Sequence, residues 1–254
     1  MRMHFVTTLL FLFLSTSFLC AEVREEKIEH AGAVFRVVRV EPDQLQLVWK
    51  DDQGQPYRTF DRVQAAYEKQ GKMVRFIMNA GIFEPGEIPS GLHVEHAKEL
   101  LPLNEKDGRG NFFLKPNGVA SCWRGRDEGA YISTVEVWKR RTDEASRVRD
   151  YRAPQYAIQS GPLLLIGGKR HPAFIEGSPS RLVRNGVGVD SKGRFIFAIT
   201  DQGQVVNFWD FAGLFLKLDC QDALFLDGTI SQCAVNPTRP MGSNAFAAMF
   251  VVAE

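Results

Sequence analysis

The clearest pattern of apolar and polar positions in this chain runs from Asn207 to Ser231. Its first residue can cap a helix, and apolar residues then recur at helical spacing over about three turns. The segment 219–222 ends that pattern, and the apolar run Ala223–Leu226 predicts a short strand buried on both faces. Asp227 and Gly228 follow directly, so a carboxylate stands at the end of a buried strand, where ligands often bind. An ordinary Asp-Gly turn fits the same two residues.

The rest of the chain is patterned mostly as strands. One further helix is predicted at Phe60–Gln70, and the charged segment 139–152 is predicted as a solvated helix or loop. Many strands with few helices indicate an α+β fold, as a single domain with a large mixed β-sheet and a few packed helices. The predicted strands are 34–40, 45–49, 74–78, 111–114, 119–122, 132–138, 156–159, 163–166, 184–190, 195–199 and 245–252.

Composition and charge narrow the class of function. The chain has 254 residues, of which 44% are hydrophobic and 24% charged, as in an ordinary globular protein. That length suits one large domain, and no linker-like segment interrupts residues 30–254. The 31 basic and 30 acidic residues nearly balance, so the chain has no basic footprint for nucleic acid. We therefore expect no nucleic-acid partner.

Residues 1–21 have the layout of a secretory signal peptide. A short basic start precedes the apolar run Phe5–Leu19, and the small residue Ala21 precedes a charged segment. The apolar run is too short for a comfortable membrane span. We expect cleavage after Ala21, a folded domain of residues 22–254 with no stable membrane span, and a secreted or periplasmic location. Lipidation at Cys20 and an uncleaved anchor are the alternatives.

Three cysteines, Cys122, Cys220 and Cys233, would remain after this cleavage. Export permits disulfides, and a bridge between Cys220 and Cys233 would bracket the Asp227 turn, but three small buried thiols fit the sequence at least as well. Neither the cysteine spacing nor the scattered histidines match a metal-binding motif. We therefore expect no cofactor, with a divalent cation near Asp227 as the open alternative.

Four short segments with polar residues at predicted strand ends follow one another along the chain. They read NAGIF at 79–83, QSGPLL at 159–164, RNGVGVD at 184–190 and LDGTIS at 226–231. Their order and spacing, between residues 74 and 252, resemble those of the phosphodiester glycosidase family. The family's corresponding segments read Asn-Gly-Gly-Phe-Phe, Ser-Gly-Pro, Arg-x-x-x-Gly and Leu-Asp-Gly-Gly-x-Ser. This chain departs from that pattern at Ala80, Asn185 and Thr229.

The resemblance implies hydrolysis of a sugar-1-phosphodiester at the glycosidic C–O bond, which releases a free sugar and a phosphomonoester. Such a site needs a cation for the phosphate and a carboxylate near the anomeric carbon. The resemblance makes Asp227 the general base or nucleophile, and it makes Arg184 the phosphate clamp, although a surface salt bridge would suit Arg184 alone equally well. Asp201 is the preferred second carboxylate, ahead of Asp190 and Glu84, because it ends an apolar run. The expected substrate-binding residues are Asn79, Gly81, Gln159, Ser160, Gly161, Gly228 and Ser231.

The ligand implied is a sugar phosphate or another glycan, and two other functions for the same pocket remain open. An exported protein could bind carbohydrate or cell-envelope glycan without turnover, and the departures at Ala80 and Thr229 favour that alternative. A phosphodiesterase on the same scaffold would cut the P–O bond instead of the C–O bond. Asn79 and Ser231 also suit a simpler role, in which their side chains only cap a turn.

Overall fold

The computed structural model describes residues 23–125, 128–147 and 153–254 and confirms the α+β class. The predicted signal peptide, residues 1–21, lies outside the described residues. Across the described ranges, no helix combines the length and the apolar character that a membrane crossing requires. The helices are α1 (Phe60–Glu68), α2 (Val135–Ser146) and α3 (Phe208–Lys217), with a 3-10 helix at Asn111–Phe113. The strands are β1 (Glu25–His30), β2 (Ala33–Val40), β3 (Gln46–Val48), β4 (Val74–Asn79), β5 (Phe83–Glu84), β6 (Ile88–Pro89), β7 (His93–Glu95), β8 (Lys98–Leu101), β9 (Gly118–Trp123), β10 (Gly129–Thr134), β11 (Tyr156–Ser160), β12 (Leu163–Ile166), β13 (Lys169–Arg170), β14 (Asn185–Asp190), β15 (Phe195–Thr200), β16 (Cys220–Phe225), β17 (Cys233–Val235) and β18 (Met249–Ala253).

The strands are divided among three larger sheets and a short hairpin. The seven-stranded sheet has the order β1-β2-β15-β14-β16-β12-β13. The five-stranded sheet has the order β10-β9-β11-β7-β8, and the four-stranded sheet has the order β17-β4-β18-β3. The paired strands of the described ranges run antiparallel throughout. The β part is therefore a set of antiparallel sheets, not one mixed sheet.

The seven-stranded sheet is buried on both faces. Helix α3 covers one face with Phe211, Leu214 and Phe215, which have the spacing that predicted this helix. The other face packs against the two smaller sheets, where the ring centroids of Phe76 in β4 and Phe197 in β15 lie 5.0 Å apart. Burial on both faces explains why β15 and the second half of β16, Ala223–Phe225, are continuous apolar runs instead of alternating sequences.

Helix α2 corrects the prediction of a strand over 132–138. Strand β10 ends at Thr134, whose hydroxyl accepts a hydrogen bond from the Val137 backbone N–H at 3.2 Å. This hydrogen bond caps α2, so the chain turns into a helix although its apolar residues continue to alternate. The helix then includes most of the segment that was predicted as a solvated helix or loop.

Three other differences concern short or exposed elements. The predicted strand at 111–114 is wrong, because this segment forms the 3-10 helix and buries the ring of Phe112. The last strand, β18, begins at Met249 instead of residue 245. Strand β1 was not predicted, because its sequence EEKIEH is largely charged, as suits the exposed edge of a sheet.

The three cysteines are free thiols, and all of them are buried. Burial raises the pKa of Cys220 to about 12 and the pKa values of Cys122 and Cys233 to about 11. The bridge between Cys220 and Cys233 is therefore not formed. The three side chains pack as small apolar groups.

Several strands end at one edge of the molecule, which we call the Asp227 edge. Strands β15 and β16 both pair antiparallel with β14, so they run in the same direction and end together, at Thr200 and Phe225. Hydrogen bonds bring the end of β4, at Asn79, and the end of β11, at Ser160, to the same place. Asp190 lies at the far end of β14 and marks the opposite edge, which we call the Asp190 edge.

Candidate active site

The buried carboxamide of Asn185 joins three of the four sequence segments. Its Nδ2 donates to Oδ1 of Asn79 at 3.1 Å, and its Oδ1 accepts from the Asp227 backbone N–H at 2.8 Å. Asn79 Oδ1 also accepts from the Gln232 backbone N–H at 2.9 Å. Asn79 is itself buried, and its Nδ2 has no hydrogen-bond partner in the described protein. A donor of this kind is available to an oxygen atom of a ligand.

The Ser160 hydroxyl attaches the remaining segment, residues 159–164, to the other three. Its Oγ donates to the Leu226 carbonyl at 3.0 Å and accepts from the Ile82 backbone N–H at 3.3 Å. Gly81 lies against the same strand, because a Cβ at this position would be 3.0 Å from the Gln159 carbonyl oxygen. The four segments that suggested the family therefore converge at the Asp227 edge.

Asp227 is the half-buried carboxylate of this edge. Burial raises its pKa to about 6, against the opposing effect of a hydrogen bond from the Gly228 N–H. No described basic side chain contributes to this pKa. A carboxylate with such a pKa is ionised at neutral pH, and it is a better proton acceptor than an ordinary aspartate.

The turn after Asp227 is fixed by its own residues. Gly228 packs so closely that an added Cβ would be 2.9 Å from the Val183 carbonyl oxygen and 3.1 Å from the ring of Phe225. The Ser231 hydroxyl donates to the Asp227 carbonyl oxygen, and the Ser231 N–H donates to the Gly228 carbonyl at 2.9 Å. The Ser231 side chain therefore caps the turn, as the simpler interpretation suggested.

Arg184 is a buried cation without a carboxylate partner among the described residues. Its side chain is 1% exposed, and burial lowers its pKa to about 10, so it remains charged at neutral pH. Its Nε donates to the Val206 carbonyl at 2.9 Å, and its Nη2 donates to the Ser180 carbonyl at 3.2 Å. A surface salt bridge is therefore the wrong interpretation of this arginine.

The ring of Phe225 connects Arg184 with the Asp227 turn. The ring centroid is 5.6 Å from Cζ of Arg184, and the ring edge lies beside Gly228. The Arg184 guanidinium and Gly228, the residue that follows Asp227, are thus neighbours of the same ring. Arg184 and Asp227 together could bind an anion and activate a group beside it.

Asp201 and Gln159 are not brought into this arrangement. The Asp201 carboxylate accepts from Lys27 Nζ at 2.8 Å, and this hydrogen bond is the main reason that its pKa is lowered. The buried Gln159 side chain binds the main chain of Leu92 and Asn104 at 2.8 to 3.1 Å, so it holds the loop that includes Asn104. Both side chains are occupied by the protein itself.

The other two candidate carboxylates also lie apart from Asp227. Asp190 is at the opposite edge, where Arg194 binds it through Nη2 at 2.8 Å. Glu84 is exposed, and its Oε1 accepts from the Ser90 hydroxyl at 3.0 Å. Gly161 has a packing role, because a Cβ there would be 2.6 Å from Cβ of Asn117. Within the described residues, no three His, Cys, Asp or Glu side chains converge as a set of metal ligands.

Asn185 is the site residue that sequence reasoning missed. It was noticed only as a departure from the family pattern, yet its side chain holds both Asn79 and Asp227. A polar side chain at the start of a strand that is otherwise apolar and glycine-rich was the available signal. Such a group must find hydrogen-bond partners when it is buried, and those partners are the residues of the site.

Known proteins are similar to this chain in sequence and in fold. The sequence model of the phosphodiester glycosidase family matches residues 72–252. The uncharacterised Escherichia coli K12 protein YigE is 32% identical over 195 residues, which are 76% of this chain and 70% of YigE.

Solved structures show the same fold at low sequence identity. The catalytic domain of zebrafish N-acetylglucosamine-1-phosphodiester alpha-N-acetylglucosaminidase, auto-inhibited by its pro-peptide, matches with a TM-score of 0.60 and 14% identity, over 91% of this chain and 81% of that one. A hypothetical protein from Synechocystis matches with a TM-score of 0.53 and 13% identity, over 91% of this chain and 61% of that one. With its four converging segments and a family match over most of its length, this chain belongs to the phosphodiester glycosidase family.

Proposed function

We propose that this protein is a hydrolase that cleaves the glycosidic C–O bond of a sugar-1-phosphodiester. The products are a free sugar and a phosphomonoester. The observation that carries the proposal is two charges at the Asp227 edge that have no ion-pair partner among the described residues: the buried Arg184 cation and the half-buried Asp227 carboxylate. A phosphodiester next to an anomeric carbon offers one group to each of them: an anion to Arg184 and an electrophilic centre to Asp227.

In the proposed reaction, Asp227 acts at the anomeric carbon as a general base or as the nucleophile. As a base it takes a proton from water while the water oxygen bonds to that carbon. The bond from this carbon to the phosphate oxygen breaks, and its electron pair leaves with the phosphomonoester, whose charge Arg184 stabilises. A phosphate group leaves readily, so a second carboxylic acid is less necessary than in other glycosidases. Asn79 Nδ2, which is free of partners in the described protein, would donate to a substrate oxygen.

The first substrate to test follows from the name of the zebrafish relative, which acts on an N-acetylglucosamine-1-phosphodiester. Purified protein is incubated with UDP-N-acetylglucosamine and with a simple glycosyl phosphodiester in water enriched in ¹⁸O. The proposal predicts that the label enters the free sugar. Label in the phosphate product would instead show cleavage of the P–O bond and would contradict a glycosidase.

A matched pair of variants assigns the reaction to Asp227. Asp227→Asn should remove turnover, and Asp190→Asn at the opposite edge should keep it. Circular dichroism checks that both variants are folded. Full activity of Asp227→Asn would keep the enzyme but exclude its central residue.

Binding without turnover is the second candidate, and the exposed Thr229 next to Asp227 favours it. Ala80, the other departure from the family pattern, does not support it, because this side chain lies in the core between the sheets. If sugar phosphates bind in calorimetry but no phosphodiester is hydrolysed, this candidate replaces the enzyme.

We further propose that the protein is exported and acts outside the cytoplasm. The support is the layout of residues 1–21, with its basic start and apolar run. Fractionation of producing cells, followed by N-terminal sequencing, tests this. An N-terminus at Glu22 in the exported fraction is expected, and full-length protein confined to the cytoplasm would contradict it.

A further inference from the structure

Three aromatic rings are stacked behind the guanidinium of Arg184. Phe208, the first residue of α3, lies under this group, with its ring centroid 3.5 Å from Cζ. Phe174 stacks on Phe208 at 4.9 Å with an angle of 5° between the ring planes. His171 stacks in turn on Phe174 at 4.9 Å and 28°. We call these three residues the ring stack.

The surroundings of the stack leave Phe208 little freedom. The edge of Phe225 meets its ring at 90°, with the centroids 5.0 Å apart. The loop that includes Phe174 is tied to the start of α3, because Asn207 Nδ2 donates to the Ser178 carbonyl at 3.1 Å. The ring under Arg184 is thus held from behind by Phe174 and from the side by Phe225.

The stack holds the arginine without neutralising it. The ring face and the two carbonyls of Val206 and Ser180 attract the cation, but none of them carries a full negative charge. A carboxylate would fix the same group and would also cancel its charge. Aromatic and carbonyl contacts therefore fix the orientation of the guanidinium without cancelling its charge, and a planar guanidinium binds phosphate well only when it is oriented.

We infer that Phe208 and Phe174 are positioning residues that orient Arg184 to bind the phosphate of a glycosyl phosphodiester. This inference rests on the proposed function for the identity of the ligand. Phe208 acts directly on the guanidinium, and Phe174 acts through Phe208. A substitution of Phe208 should therefore weaken phosphate binding more than a substitution of Phe174 does.

Calorimetric titration of the full protein with inorganic phosphate tests the inference without any turnover. Phe208→Leu should weaken phosphate binding by roughly tenfold, because the cation–ring contact in this buried place is lost. Phe174→Leu should weaken it by about threefold, and it should add nothing in the Phe208→Leu background. Phe208→Tyr, which keeps the ring, should bind phosphate within about twofold of the wild type.

Phe215→Leu is the matched control, because Phe215 is a buried phenylalanine of the same helix whose ring meets that of Phe211 edge to face. It loses similar packing and should leave the phosphate affinity unchanged. With a glycosyl phosphodiester, Phe208→Leu should lower kcat/KM by the same factor as the phosphate affinity or by more. Equal weakening of phosphate binding by Phe208→Leu and Phe215→Leu would overturn the inference, because it would show a general loosening of the core.

Arg184→Gln separates this inference from the proposed function. If Arg184→Gln loses phosphate affinity while Phe208→Leu keeps it, the stack has no positioning role and the clamp still stands. If Arg184→Gln binds phosphate as well as the wild type, or if the wild type binds none, the clamp itself is wrong.

Discussion

Asp227 and Asp190 lie at opposite edges of the same sheet, and their environments shift their pKa values in opposite directions. Burial raises the pKa of Asp227 to about 6, and no described basic residue offsets that effect. Hydrogen bonds from Arg194 and from backbone N–H groups lower the pKa of Asp190 although it is also buried. Both residues stand at strand ends beside a turn, so the position in the fold does not make the difference. The presence or absence of a partner within the protein does.

The arginines repeat this contrast. Arg194 binds the Asp190 carboxylate through both Nε and Nη2, at 3.0 and 2.8 Å. Among the described residues, the Arg184 guanidinium binds carbonyl oxygens and an aromatic face and has no carboxylate partner. Asp190 thus has its ion-pair partner within the protein, while Asp227 and Arg184 at the Asp227 edge have none among the described residues, which is why we propose a ligand there. A buried charge with an ion-pair partner, such as Asp190, stabilises its turn. A buried charge without such a partner costs stability, and such charges are common at binding sites.

The largest expected effect separates the two aspartates by activity. Asp227→Asn should lower kcat by about a thousandfold, because the reaction loses its proton acceptor or nucleophile. Asp190→Asn should leave kcat within about twofold of the wild type, because it removes a structural contact only. Steady-state kinetics on a glycosyl phosphodiester measures both. Similar losses in the two variants would remove the distinction between the edges.

The next largest effect is expected for Asn185, whose side chain bonds to Asn79 and Asp227 at the Asp227 edge. Asn185→Ala leaves the Asp227 N–H and Asn79 Oδ1 each without one partner, so kcat/KM should fall by roughly 10- to 100-fold. The free energy of unfolding should fall by about 2 kcal/mol, the cost of buried groups that lose hydrogen bonds. Kinetics and urea unfolding measure the two quantities. A loss of stability with unchanged kcat/KM would show that Asn185 does not position the site.

The same two aspartate variants should change stability in opposite directions. At pH 7.5, Asp227→Asn should raise the free energy of unfolding by about 1–2 kcal/mol, because it removes a charge that burial disfavours. Asp190→Asn should lower it by about 2 kcal/mol, because Arg194 and the turn lose charged hydrogen bonds. Urea unfolding of both variants checks the sign of each change in the free energy of unfolding. A destabilised Asp227→Asn would mean that the carboxylate has a partner in the protein.

The pH dependence follows from the same pKa shifts. A raised carboxyl pKa means that the folded state holds the proton more tightly, so the Asp227 contribution makes the protein less stable as pH rises from about 4 to 6. A lowered pKa has the opposite effect, so the stability that Asp190 contributes is present above pH 4 and is lost as pH falls through its folded pKa.

Activity should fall tenfold per pH unit below about pH 6, because protonation of Asp227 removes the proton acceptor. A flat pH–rate profile between pH 5 and 7 would contradict a role for ionised Asp227.

The smallest effect is expected for Asp201, which lies near the Asp227 edge but forms an ion pair with Lys27. Asp201→Asn should change kcat by less than about twofold and should leave the free energy of unfolding almost unchanged, because its partner Lys27 is exposed to solvent. A loss of activity comparable to that of Asp227→Asn would make Asp201 the second carboxylate after all. The same kinetic assay decides this.

The parts of the fold that could be predicted were those decided by local pattern. Helix α3 and the second half of strand β16 follow from the apolar pattern, although β16 begins at Cys220, inside the predicted break at 219–222. The sequence segments placed Asn79 and Asp227 at strand ends. The beginning of α2 could not be predicted, because one hydroxyl cap at Thr134 overrides an alternating pattern. The sequence could not show which carboxylates have ion-pair partners, because the partner of Asp201 is Lys27, which is far away in the chain.

The site was predictable in its residue types but not in its contacts. Gln159 belongs to a segment that resembles the family, yet its side chain binds a loop backbone. Asn185 was set aside as a departure, although it bonds to two site residues. Hydrogen bonds between segments more than forty residues apart depend on the final packing, and no local pattern encodes them.

Strand β18 has a consequence for the time at which this protein becomes functional during its synthesis. It lies between β4 and β3 in the four-stranded sheet, and its Met249 pairs with Asn79. While residues 249–253 are still inside the ribosome, Asn79 has no neighbour on that side, and the two strands that flank β18 have nothing to join them. The Asp227 edge is therefore incomplete until residues 249–253 have left the ribosome and paired with β4.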